Sequence, residues 1–176
     1  MKIPPLERDQ APEAARPIYD TLQQTVGRVM NFWKVLAHRP DVLRTFMDFD
    51  SAVWAPGALS PKIKELVYLR ASIMNGCHYS ILAHIRASKG QGTTDEQVRA
   101  LQNDNGERSV FTIEEHAAIG FAEKLTAWPG SVKQKEIDEL ANYFNEKQII
   151  ELVLIIGMVN LTNRFNEGLQ TQLDPY

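Results

Sequence analysis

The segment SPKIKELVYLRASIMNGCHYSILAHIRASKG, residues 60–90, decides how this chain folds. Ser60 followed by Pro61 reads as a helix start: a hydroxyl that can cap the first turn, then a proline whose missing N–H is not needed there. No breaker follows until Asn75-Gly76, so the reading predicts a helix to about residue 75 and a turn at which glycine admits a left-handed backbone. A second helix then runs from Cys77 to about Lys89, with Gly90 expected as its left-handed stop. So short a connection makes the two a central antiparallel pair.

The same punctuation extends in both directions. Helices are expected over residues 12–28, 31–37 and 40–53, with Pro56-Gly57 breaking the chain before Ser60. Thr94-Asp95-Glu96-Gln97, Thr112-Ile113-Glu114-Glu115 and Ser131-Val132-Lys133-Gln134 each match a capping box and start three more, separated by Gly106, Pro129-Gly130 and Asn145. A last helix over residues 146–167 is apolar almost all round, which suits a core or a subunit interface. No segment alternates with the period of a strand. The expectation is an all-α fold of about seven to nine helices in one domain spanning residues 1–176, with the core motif at 60–101.

Composition narrows the function. Hydrophobic residues make up 44% and charged residues 23%, ordinary for a globular protein, and a formal net charge of -3 supplies no field for nucleic acid. The longest apolar run, Leu152 to Val159, falls short of the roughly 20 residues that span a bilayer, so no membrane partner is expected. The N-terminal residues Met1 to Arg8 have no apolar signal core, and the expected location is the cytoplasm. Cys77 is the only cysteine, which rules out an internal disulfide and a multi-cysteine zinc site.

Cys77, Ser80 and His84 stand at i, i+3 and i+7, within about 60° of one another on a helix. Along the axis Cys77 and His84 are roughly 10 Å apart and Ser80 and His84 about 6 Å, so the imidazole serves position 80 better than position 77. If the first helix folds back at Asn75-Gly76, Glu65 lies as far before the turn as His84 lies after it. A carboxylate would then orient an imidazole near a hydroxyl, with a thiol at the helix start. The helix N-terminus favours a thiolate by roughly 0.3 to 1 kcal/mol, less than one pKa unit, so a reactive thiol also needs a cation such as His78 or His84. Each residue has a plainer reading beside this one. Cys77 can be core filler, His84 a structural histidine, and Glu65, between Lys62 and Lys64, a surface charge. His38 and His116 have no sequence partner and read as structural. A metal on Glu65, Cys77 and His84 has no tight ligand pair behind it, and no metal is expected.

Glu65 through Arg70, Asn75-Gly76-Cys77-His78-Tyr79-Ser80 and His84 resemble the core of the alkylhydroperoxidase D-like / carboxymuconolactone decarboxylase family, whose usual form is Glu, eleven residues, then Cys-x-x-Cys-x-x-x-His. The similarity continues through 87–90, 94–101, 115–118, 121–125 and 160–165 and covers most of residues 15 to 170. The resemblance implies an all-helical homo-oligomer, a trimer or a hexamer of paired subunits, with a dimer possible. In the family's peroxidase branch a glutamate and a histidine, matching Glu65 and His84, relay a proton to the second motif cysteine. That position is Ser80 here, and a hydroxyl cannot form a disulfide, so the two-cysteine cycle is closed to this chain. The decarboxylase branch needs no cysteine pair and shows a Cys-x-Tyr-Glu-like motif, of which Tyr79 is present and the glutamate is not.

The resulting expectation is a peroxidase-related oxidoreductase limited to one-cysteine chemistry on a hydroperoxide, with Glu65, Cys77, Ser80 and His84 as the catalytic set. Tyr79 and His78 would touch the substrate. It needs no bound cofactor, only an external thiol reductant. The alternatives are a cofactor-free lyase or isomerase acting on a lactone or organic acid through Glu65 and His84, and a non-catalytic small-molecule-binding oligomer.

Overall fold

The computed structural model describes residues 2–103 and 108–175. Among these residues every regular element is helical: α1 Arg16–Val26, α2 Asn31–Leu36, α3 Pro40–Trp54, α4 Pro61–Met74, α5 His78–Gly90, α6 Asp95–Gln102, α7 Ile113–Ala127, α8 Gln134–Leu140 and α9 Glu146–Leu169. Short 3-10 turns stand at Glu13–Ala15, Arg108–Val110 and Pro129–Ser131. The all-α expectation holds.

The chain packs as two compact units, one of Met1–Ala52 with Phe165–Tyr176 and one of Val53–Arg164. In the first, Phe32, Trp33 and Phe46 pack edge-on or tilted, and Phe165 meets Phe32 at 5.3 Å. There the C-terminal tail is tied to α2: Asn31 donates its backbone N–H to Asp174 and its side-chain amide to the carbonyls of Gln172 and Leu173. The second unit holds the residues singled out above. In it α4 packs most extensively against α5 and α7. Leu66 and Leu69 of α4 enter a core with Val98, Leu101, Phe111 and Ile119, and Ile73, Ile81 and Ile85 close its edge.

The helix ends follow local chemistry. The Ser60 hydroxyl accepts the N–H of Ile63, and Thr94 and Thr112 both close full capping boxes. After α4, Gly76 at φ 66° lets its own N–H reach Ile73 O and the Cys77 N–H reach Ser72 O. This is the paired bonding by which a left-handed glycine closes a helix. The same arrangement ends α5, but one residue pair later than expected. Gly90 is still helical, and Gly92 at φ 87° is the left-handed stop, with Gly92 N–H on Lys89 O and Thr93 N–H on Ser88 O. A second correction concerns Ser131. It ends a 3-10 turn and gives its hydroxyl to Trp128 O, so it cannot cap α8; the Lys133 N–H, bonded to Glu136 Oε2 at 2.8 Å, starts that helix. Gly106, expected as a separator, lies outside the described residues.

Helix α9 runs for 24 residues and is long and apolar enough to cross a membrane by length and composition. Within Val53–Arg164 its Leu152, Ile155, Ile156, Met158 and Val159 are buried, while Ile150, Val153, Leu154 and Leu161 are exposed.

Candidate active site

Helix α4 carries two useful faces. Leu66, Leu69 and Ile73 turn to the core, whereas Glu65, Tyr68 and Ser72 recur at i, i+3 and i+7 and share the neighbouring face. Because the Gly76 turn brings α5 back alongside, Glu65 meets His84. The imidazole Nδ1–H donates to Glu65 Oε2 at 2.8 Å. A carboxylate offers only acceptors, so in the neutral form of the imidazole this bond selects the tautomer with its proton on Nδ1 and the lone pair on Nε2. Glu65 is buried, which removes the reading of it as a surface charge, and the His84 side chain keeps 18% of its surface exposed.

Two aromatic rings fix the imidazole. Tyr68 stacks on it at 3.7 Å between centroids and 19° between planes, and Trp54 lies 5.8 Å from it at 18°. Trp54 and Tyr68 are also 5.8 Å apart, so the three rings form a compact trio. The Thr162 hydroxyl gives its single proton to Val159 O, so in its 2.5 Å bond with Tyr68 the phenol is the donor.

Cys77 occupies the N-cap position of α5 and is wholly buried. Its thiol donates to Ser80 Oγ at 3.5 Å, and the same oxygen accepts Asn163 Nδ2 at 2.9 Å. Both lone pairs of Ser80 are thereby taken, and its O–H remains to be given away. Asn163 also donates to Ser72 Oγ at 3.2 Å and accepts Asn75 Nδ2 at 2.9 Å, which ties α9 to both helices of the pair. Asn75 and Asn160 continue this polar network to Thr126 of α7.

The structure thus brings the four expected residues together as two bonded pairs, Glu65 with His84 and Cys77 with Ser80, both on the α4–α5 hairpin. The two residues expected to touch substrate sit in opposite environments, His78 exposed and Tyr79 buried. Sequence reasoning missed Tyr68, Trp54, Thr162 and Asn163. A signal existed for Tyr68, which is one turn from Glu65 on its own face. Another existed for Thr162 and Asn163, polar residues in a helix otherwise apolar all round. Trp54 offered none. A cavity of about 410 Å³ lined by His116, Phe121, Lys124, Leu140 and Tyr143 lies elsewhere, between α7 and α8, and touches none of the four residues. Its Lys124 and Glu136 are paired with each other. Among the described residues no group of three His, Cys, Asp or Glu is placed to hold a metal ion.

Comparison with known proteins bears on the same segment. The Carboxymuconolactone decarboxylase family model matches residues 40–124. The uncharacterized protein YdfG of Bacillus subtilis (strain 168) is 28% identical over 128 residues, 72% of this chain and 86% of its own length. The alkylhydroperoxidase AhpD core structure of a peroxidase-related protein from Ralstonia eutropha JMP134 superposes with a TM-score of 0.85 at 21% identity, covering 97% of this chain and 90% of that one. A Cys-to-Ala variant of the debrominase Bmp8, in complex with 2,3,4-tribromopyrrole, gives a TM-score of 0.82 at 22% identity over 99% of this chain and 92% of that one. These structural likenesses establish the shared fold. The match to the carboxymuconolactone decarboxylase family model, over residues 40–124, runs through Glu65, Cys77, Ser80 and His84.

Proposed function

We propose that the chain is a peroxidase-related oxidoreductase that reduces a hydroperoxide with Cys77 alone. The observation that carries this reading is the Ser80 hydroxyl. Both of its lone pairs are occupied, by the Cys77 thiol and by Asn163, so its O–H is the donor held ready beside the sulfur. When the thiol ionises, that O–H can turn to the thiolate or to the peroxide oxygen. The sulfur electron pair attacks the outer oxygen of ROOH, the S–O bond forms, and the O–O bond breaks. The leaving RO⁻ takes the proton that the thiol surrendered, carried by the imidazole whose opposite nitrogen Glu65 holds. The sulfenic acid then condenses with an external thiol, releasing water. A second thiol frees Cys77 and leaves as a disulfide, so one ROOH and two thiols give ROH, water and one disulfide. The electrons come from that reductant, and the reaction as written uses no resident cofactor.

The test treats the protein with hydroperoxide, traps sulfenic acid and measures intact mass, with Cys77→Ser as the control. An adduct on Cys77 is expected, and an unmodified Cys77 overturns the reading.

One observation favours a second reading. Cys77 is 0% exposed, whereas the His84 side chain reaches solvent. A lyase or isomerase using Glu65 and His84 as base and acid would need no exposed sulfur, and Trp54 and Tyr68 would give a planar organic substrate a wall. The neighbouring fold that holds 2,3,4-tribromopyrrole supports a substrate of that shape. Full activity in Cys77→Ala with loss in His84→Ala would decide for this second reading.

A further inference from the structure

Lys64 is a lysine with 1% of its surface exposed, one residue before Glu65 on α4. A buried ammonium is costly unless every proton is bound. Lys64 meets that condition with three partners: Val53 O at 2.8 Å, Ala55 O at 3.0 Å and the Glu151 carboxylate of α9. The two carbonyls flank Trp54, whose ring packs beside the stacked Tyr68–His84 pair, 5.8 Å from each. Glu151 is itself held, because its second oxygen accepts the Leu59 N–H at 2.8 Å and its carboxylate fills the space beside Gly57 that a Cβ would need. Gln148, one turn earlier on α9, donates to Ala58 O at 3.1 Å. The chain from Val53 to Leu59 is therefore gripped from α4 by an ammonium and from α9 by the carboxylate that neutralises it. An apolar side chain of Lys64's size would fill the same volume without the desolvation cost; it would not fix the two carbonyls on either side of Trp54.

We propose that the Lys64–Glu151 ion pair is a positioning device for the active site: it holds Trp54 against the side of the stacked Tyr68–His84 pair and so fixes where Nε2 meets the substrate. Glu65 orients the imidazole from Nδ1, and Lys64, its neighbour in the chain, orients the ring that packs beside it. The inference rests on the functional reading above in placing His84 at the reacting centre. Its geometric core, the coupling of Lys64 to the His84 ring through Trp54, can be read without turnover.

The experiment compares Lys64→Met, Trp54→Leu and their combination in the full chain, with Glu151→Gln as a milder variant should Lys64→Met not fold. Two quantities are read: the nuclear magnetic resonance positions of the His84 ring protons, displaced by the neighbouring aromatic rings, and kcat and KM for hydroperoxide with a thiol reductant. Lys64→Met or Glu151→Gln is expected to move the His84 ring protons toward their positions in Trp54→Leu. It should also lower kcat by about tenfold or more and add nothing further on the Trp54→Leu background. Unmoved His84 protons in a folded Lys64→Met or Glu151→Gln protein overturn the proposal, as do losses that add on the Trp54→Leu background. If the parent protein turns over no hydroperoxide, the functional reading fails alone, and the ring-proton comparison still decides whether the Lys64–Glu151 pair positions Trp54 against His84.

Discussion

Replacing Asn163 by leucine is the sharpest test of how the candidate site is held together. Asn163 is 1% exposed, and its amide makes bonds to Ser72, Ser80 and Asn75 across 91, 83 and 88 residues of sequence. Leucine keeps the number and branching of the side-chain heavy atoms, so no cavity is left, and the cost comes chiefly from the polar groups left behind. Asn75 keeps Asn160 and the Ser80 oxygen keeps the Cys77 thiol, so these two lose about 0.5–1.5 kcal/mol each. The Ser72 hydroxyl, fully buried, loses the amide that reaches it and adds about 1–3 kcal/mol for an unsatisfied group. The expected destabilisation is about 2–6 kcal/mol. Urea unfolding at neutral pH measures it, with an unchanged m-value confirming that both end states are the same. Because the damage centres on Ser72, Ser72→Ala should cost less on the Asn163→Leu background than in the parent, with a coupling of about 1 kcal/mol. A loss under about 1 kcal/mol, or a Ser72→Ala cost equal on both backgrounds, refutes the network as drawn.

Three further outcomes are expected. Gly76→Ala meets open space, so its cost is the left-handed backbone alone, about 1–2 kcal/mol by urea unfolding; Gly90→Ala, at a helical position, should lack that cost. Burial raises the Glu151 carboxyl, but the bonds from Lys64 and from the backbone N–H groups of Leu59 and Ala58 outweigh it and leave it below its ordinary 4.5. Its stabilisation is present above that value and is lost as pH falls through the lower folded value, so the acid-side decline in urea midpoint should be shallower in Glu151→Gln than in the parent. Tyr19, buried and facing Glu7, is pushed up to about 12 from 10.0. Its neutral phenol, bonded to Leu6 O, stabilises the fold below pH 10 and the benefit fades as pH rises toward about 12, which an ultraviolet titration of the parent against Tyr19→Phe will show.

How much of this was legible in the sequence depends on how far each interaction reaches along the chain. The Ser60, Thr94 and Thr112 caps involve side chains and N–H groups three residues apart, so their starts were readable. The two misread ends, Gly90 and Ser131, failed on competition between neighbours: Gly92 stood two residues on, and the Ser131 hydroxyl had a carbonyl of its own turn to bond. The Glu65–His84 meeting, 19 residues apart, could be foreseen because a single glycine turn joins two regular helices, and that geometry is computable from rise and period.

What the sequence determined by itself was the helical alphabet of the chain and the order of chemistry along one hairpin: a carboxylate, a thiol, a hydroxyl and an imidazole at fixed offsets. What only the tertiary structure decided is which of these groups bond to one another and what surrounds them. Helix α9 delivers Asn163 to Ser80 and Thr162 to Tyr68, and a buried ammonium draws in the carbonyls around Trp54. These contacts are set by packing between segments up to 94 residues apart, where no local periodicity carries information and the need to satisfy buried polar groups selects the partners.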